Sequence, residues 1–175
     1  MENVERVDYI EVQQFRQLWL WGLMIPIAFY FVYHMAPGMY QQLVHDQPWG
    51  RKPASNGMLI VIGILSGLAS VGVPIMMYII KLITTVNDTD IDVYFYPFKR
   101  AQIPFEKIVT CEARTYRAIT EYGGWGIRNG LKGRAYNISG NQGVQLVLDD
   151  GKQVLIGSQR SDELADLINQ KRNLG

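Results

Sequence analysis

The chain has 175 residues with 17 Lys and Arg against 16 Asp and Glu, a formal net charge of +1, so it lacks the basic excess of a dedicated nucleic-acid binder. A single cysteine, Cys111, excludes an intrachain disulfide framework. The only two histidines, His34 and His45, leave everything after residue 45 without a His-based catalytic arrangement or a conventional zinc set.

The acidic N-terminal segment, residues 1–16, has no breaker from Tyr9 to Gln17, and its residues suit a helix that runs on into the next segment. From residue 17 to residue 45 there is no Asp, Glu, Lys or Arg, and the same is true of residues 53–80. The apolar cores are Leu18–Ala36 and Gly57–Ile80. About 20 apolar residues make a helix that crosses roughly 30 Å of hydrocarbon. The spacing therefore predicts transmembrane helices over residues 17–36 and 57–83, joined by a loop over 37–56. The first run follows acidic residues rather than a basic n-region and has no small-residue cleavage site, which argues against a cleaved signal peptide. Trp19 and Trp21 mark one end of it, Tyr30, Tyr33 and Tyr40 approach the other, and Trp49 and Tyr78 flank the second, as expected of aromatic belts.

An even number of spans returns the chain to its starting side. Arg6, Arg16, Lys81, Lys99 and Arg100 flank the terminal side, and Arg51 and Lys52 lie in the loop. The bias favours cytoplasmic termini in a multi-pass protein of the cytoplasmic membrane. In the second run Gly63 and Gly67 form a small-xxx-small pair, with Ser66 and Ser70 one step round, a pattern that lets two helix backbones approach. Pro26 and Pro74 should kink their helices. Within the loop, Met39–Val44 is short enough to lie as one or two helical turns on the membrane surface.

After Asn87–Asp90 the pattern becomes that of strands. Ile91–Phe98 is rich in β-branched and aromatic residues. Ile108–Arg114 alternates, with Val109, Cys111 and Ala113 on one face and Thr110, Glu112 and Arg114 on the other. Cys111 then reads as a buried, inert thiol. Arg134–Ile138 is a further short strand. Asp150-Gly151 fits a two-residue hairpin turn within Val144–Ile156, which would oppose Leu146 to Leu155 and Val147 to Val154. Ser161 suits an N-cap, Asp162 and Glu163 the first helical turn, and Leu164, Leu167 and Ile168 one apolar stripe.

The run Gly143–Gln170, with its strand–Asp-Gly–strand hairpin, Gly-Ser link and capped helix, resembles the ending of bacterial pleckstrin-homology-like domains. Ile103–Ile108 is similar to a stretch before an early strand in them. Taken whole, the chain resembles small prokaryotic two-helix membrane proteins that carry such a domain. The resemblance covers residues 90–172 and implies a bent, antiparallel seven-stranded sheet or partial barrel plugged by a C-terminal helix, with a domain over residues 86–173. It brings no catalytic residues and no cofactor.

Residues 114–134 hold Arg114, Arg117, Arg128, Lys132 and Arg134 against one acid, Glu121, with Trp125 and tyrosines interleaved. This composition suits a contact surface for anionic lipid headgroups or a protein partner. The glycines between Tyr122 and Gly133 do not match a phosphate-loop pattern, and Asp88, Asp90 and Asp92 lack the remaining calcium-loop positions. The expected function is a non-enzymatic membrane protein, binding neither metal nor nucleic acid. The alternative is an accessory subunit or small homo-oligomeric pore assembled through Gly63 and Gly67.

Overall fold

The computed structural model describes residues 7–130 and 133–174. It is an α+β structure in two compact units: Arg16–Tyr78, and the described residues up to Phe15 together with those from Ile79 onward.

The helical unit contains two runs, Leu18–His45 and Asn56–Ile79, both long and apolar enough to cross a membrane. The first comprises α1 (Leu18–Tyr30), a π-helical segment (Phe31–Met35) and α2 (Ala36–His45). The second comprises α3 (Asn56–Gly67), a π-helical segment (Leu68–Gly72) and α4 (Val73–Ile79). Two expectations change here. The stretch 37–45 does not belong to the loop or lie as a separate surface turn, because the first helical run continues through Pro37 to His45. The second run stops at Ile79, and Lys81 opens a strand.

Each π-helical segment ends two residues before a proline, Met35 before Pro37 and Gly72 before Pro74. Proline removes a donor, and its ring crowds the carbonyl four residues back; a locally widened turn relieves that crowding. Pro26 lies within α1 with no such change. The loop is pinned by Gln42, whose buried amide donates to Ala54 O (2.7 Å) and Asn56 Oδ1 (3.0 Å) and accepts from Trp49 N (3.1 Å).

The strand-rich unit begins before the helices. Tyr9–Gln14 is β1, a strand rather than the expected helical extension. It pairs antiparallel with β2 (Lys81–Val86), from Tyr9 opposite Val86 to Gln14 opposite Lys81. β3 (Asp90–Tyr96) and β4 (Lys99–Pro104) complete a four-stranded sheet in the order β1-β2-β3-β4. The second sheet holds β5 (Ile108–Thr115), β6 (Gly126–Gly130), β7 (Gly133–Asn137), β8 (Gln142–Leu148) and β9 (Gln153–Gly157) in the order β5-β8-β9-β7-β6. A short helix, α5 (Ala118–Tyr122), follows β5, and α6 (Ser161–Leu174) follows β9. The architecture thus differs from a single antiparallel sheet: the described residues form two sheets and no closed barrel, and β7 and β9 run parallel.

Two registers correct the sequence reading. The β8–β9 loop has three residues, not two. Gly151 N donates to Leu148 O (2.9 Å), Leu148 N donates to Lys152 O (2.9 Å), and Gly151 takes φ of 76°. A turn followed by a left-handed glycine makes a bulge, and the pairing shifts by one so that Leu146 faces Val154 and Gln145 faces Leu155. In β5 a bulge between Ile108 and Thr110 turns Ile108 inward and Val109 outward. The capping position of α6 is Arg160, whose carbonyl accepts from Leu164 N (2.9 Å); Ser161 is the first helical residue.

The inner face of the first sheet is built in cross-strand rows: Tyr9, Val86, Ile91 and Ile103, then Glu11, Thr84, Val93 and Ala101. α6 packs on β5 and β8 and buries Leu164 and Ile168, and the second sheet buries Val144, Leu146 and Ile156. At the β1 edge the row ends in polar groups. Glu11 is buried, and its Oε2 accepts from the Tyr9 hydroxyl (2.6 Å) and Ser158 Oγ (2.6 Å), while its Oε1 accepts from Gln13 Nε2 (3.1 Å) and Gln159 N (2.7 Å). Gln13 Nε2 also donates to Gly157 O (2.7 Å), and the Arg160 guanidinium lies 4.4 Å from the centre of the Tyr9 ring.

Glu11→Gln sets an amide NH2 against groups that already donate, so it should lower the unfolding free energy of the full chain in detergent by about 1–3 kcal/mol. Glu11→Asp, which keeps the acceptors but shortens the reach, should fall between. Denaturant titration reads both.

Burial, reinforced by the Glu11 carboxylate, pushes the Tyr9 hydroxyl from its ordinary 10.0 up to about 12. Its contribution to stability is therefore fully present below the unfolded value and is lost as pH rises towards the folded one. Thermal melts should show an alkaline loss of stability between these two values, and Tyr9→Phe should flatten it.

Candidate functional site

The two sheets part on the β4 side. Between β4, the β6–β7 hairpin and the β8–β9 loop lies an open groove of about 670 Å³. Its walls are Ala101 and Ile103 from β4, Tyr136 from β7, Leu148 from β8 and Val154 from β9, with Asn129, Arg134 and Lys152 at the rim. The register explains the lining. Asn129 pairs with Arg134 and Ile127 with Tyr136, so these share one face of the hairpin. Arg134 then pairs with Val154 and Tyr136 with Ile156. Gly133 permits the close approach of β7 to β9: it takes φ of 93°, and a Cβ there would stand 2.1 Å from Gln153 O.

The rim cations are held rather than loose. Arg134 Nε donates to Asn129 Oδ1 (3.1 Å). Lys152 Nζ meets Asp150 Oδ2 at 2.5 Å, and the hydrogen bonds from Lys152 draw the exposed Asp150 carboxyl below its usual range. An apolar trough with two cations and an amide at its rim suits an extended chain that carries apolar side chains and an acidic group.

The expected basic surface is divided. Arg114 is part of the scaffold: its Nε donates to Gln145 Oε1 (3.1 Å), Nη1 to Glu121 Oε2 (2.9 Å) and Nη2 to the Tyr122 hydroxyl (3.0 Å). Glu121 also accepts from Arg117 N (2.8 Å) at the start of α5, so its carboxylate ties α5 to Arg114 of β5. Beneath α5, Tyr116, Ala118, Tyr122, Ala135 and Leu155 form a small core with Trp125 against it. Burial pushes the Tyr116 and Tyr122 hydroxyls upward.

Arg117 and Trp125 line a separate, shallower hollow of about 300 Å³. Trp125 Nε1 donates to Gly140 O (3.3 Å), and Arg128 Nε to Trp125 O (3.0 Å). Arg128 pairs with Ala135 and so lies on the opposite face of the hairpin from Arg134. Lys132 lies outside the described residues.

In the helices, Gly63 and Gly67 face the same chain. A Cβ on Gly63 would stand 2.0 Å from the Met39 methyl, and one on Gly67 would stand 3.6 Å from the Phe31 ring. Ser70 is buried, and the Ser66 hydroxyl bonds back to Ile62 O.

The three aspartates have separate partners. Asp88 meets Lys171 (2.7 Å), Asp90 accepts from Asn87 (2.9 Å) and Asp92 meets Arg100 (2.7 Å). No cluster of three metal-ligating side chains occurs among the described residues. The groove and the Glu11 network are absent from the sequence expectations. The alternation of Tyr9, Glu11 and Gln13 was the available signal for the latter.

No family model matches the chain, and no curated protein is similar to it.

Cys111 is buried under α6, with Sγ 3.8 Å from Ala165 O, and burial pushes its thiol up to about 12. It should stay protonated and resist maleimide at neutral pH in the folded chain, then react once denaturant opens the unit. A mass shift counted before and after unfolding checks this.

Proposed function

We propose that this is a non-enzymatic integral membrane protein of the cytoplasmic membrane. In this reading two spans hold a pleckstrin-homology-like domain at the membrane face, where its groove receives a partner. The observation that carries the reading is the uncovered apolar surface of the helical runs. Leu18, Leu23, Ile25, Ile27 and Phe29 on the first run are exposed, as are Ile60, Val61, Ile64, Leu65 and Leu68 on the second. α1 buries no residue at all. Such a helix is at rest in hydrocarbon and out of place in water.

The runs of 28 and 24 residues are about 42 and 36 Å long, enough to cross the bilayer core with length to spare. The pairing of Gln14 with Lys81 brings the exit to the first run and the return from the second to one end of a strand pair. That arrangement suits two spans whose outer ends lie on the same side, the cytoplasmic side by the count of basic residues. The alternative of a pore assembled through Gly63 and Gly67 has less support, since both glycines face Met39 and Phe31 of their own chain.

Topology is read by labelling single cysteines in intact cells with an impermeant maleimide. Arg51→Cys should react from outside and Asn173→Cys only after permeabilisation; the reverse pattern, or equal labelling, sinks the topology. A photo-reactive residue at Gln153, on the groove, should give a discrete adduct in native membranes that Arg134→Glu abolishes. An adduct indifferent to that change counts against the groove.

A further inference from the structure

The end of the first sheet where the chain leaves for the helices also carries the β3–β4 turn. Gln14 pairs with Lys81, and Lys81 with Tyr96, so the end of β1, the start of β2 and the end of β3 stand in one row. Phe98 N closes the turn on Phe95 O (2.8 Å), and Lys99 returns opposite Phe95. The chain has little slack at this end. From Gln14 to the first helical residue, Leu18, it spans at most about 14 Å, and from Ile79 to Lys81 about 7 Å. On the membrane reading, the bilayer surface therefore lies within one short linker of the turn.

The side chains there have the chemistry of an interface. Phe98 is 57% exposed and Tyr96 40%, although nothing in the strand-rich unit requires a bare phenylalanine in a turn. Tyr96 stacks edge-on against Tyr94 at 5.6 Å on the outer face of the sheet. Three cations accompany them: Lys81 in the same row, and Lys99 and Arg100 at the start of β4. The acid that shares the outer surface with Lys81 and Arg100, Asp92, is already paired with Arg100. In the helices, Trp19 and Tyr78 lie within a few residues of the same ends and are also exposed. Aromatic rings beside unopposed lysines are what a headgroup layer selects.

We propose that the β3–β4 turn is a lipid-contact site. Phe98 and Tyr96 enter the acyl boundary of the bilayer that the chain's own helices cross, and Lys81 and Lys99 meet lipid phosphates. The turn is then a third attachment beside the two spans, and it fixes the tilt of the strand-rich unit over the membrane. The proposal rests on the membrane reading above.

The test uses the full chain in phosphatidylcholine–phosphatidylglycerol vesicles, labelled with an environment-sensitive fluorophore at single introduced cysteines; the buried Cys111 stays unlabelled. Phe98→Cys is the site of interest. Thr89→Cys, in the turn at the other end of β3 and about 20 Å away along the strand, is the control. Leu65→Cys, exposed on α3, reports the span. Lipids carrying a nitroxide near the top of the acyl chain should quench the label at 98 and leave the label at 89 unchanged, and a nitroxide deep in the chain should quench the label at 65. Quenching at 65 with none at 98 overturns the turn site and leaves the membrane reading intact. No quenching at 65 removes the membrane reading itself. A label at 98 shielded from aqueous iodide yet untouched by lipid nitroxide overturns the proposal in favour of a protein contact.

Discussion

The buried carboxylate of Glu11 is the constraint on which the rest of the strand-rich unit depends. It takes hydrogen bonds from Tyr9 and Gln13 on its own strand and from Ser158 and Gln159 on the link between β9 and α6. A carboxylate out of water is stable only with its acceptor sites filled, and here the partners come from both ends of the chain. The first strand is thereby welded to the last strand and last helix, although about 65 residues of helix and loop separate it from β2. The unit cannot close until the chain has made Ser158. Long-range closure of this kind is slow in folding terms, and β1 stays an unpaired edge until β2 emerges.

The helical unit obeys the opposite rule. Two of its polar side chains act locally: Gln42 pins the loop, and the Ser66 hydroxyl bonds within its own helix. Gly63 and Gly67 face the other run of the same chain rather than the surface. What remains outside is almost wholly apolar. Water would select against such a surface, whereas hydrocarbon is indifferent to it.

Long-range chemistry decides what was legible in the sequence. The two apolar runs could be read because length and absence of charge need no partner to interpret. The C-terminal helix could be read from its stripe and its acidic first turn. β1 was not, because its inward face is polar and its outward Ile10 and Val12 are exposed, the reverse of the usual alternation; only Ser158 and Gln159, some 147 residues away, make sense of it. The β8–β9 turn was placed correctly, but its extra residue depends on Gly151 adopting positive φ after a turn, and the register moved with it. The basic stretch 114–134 was legible as composition, whereas the distribution of its side chains over separate faces was not. Three of Arg114's nitrogens are committed to Gln145, Glu121 and Tyr122, and strand alternation sends Arg128 and Arg134 to opposite faces.

The same asymmetry explains where the groove lies. The first sheet has two edges, β1 and β4. The β1 edge is sealed against the second sheet by the Glu11 network and by Arg160, which donates to Ile10 O (2.9 Å). The far end is closed by α6, whose Lys171 reaches both Asp8 and Asp88. At the β4 edge, Ala101 and Ile103 instead face Tyr136 and Val154 across open space. Two twisted sheets clamped along one edge splay along the other, so the clasp at Glu11 and the opening at β4 are two consequences of one geometry. Loosening the clasp should therefore alter the groove before it unfolds the unit.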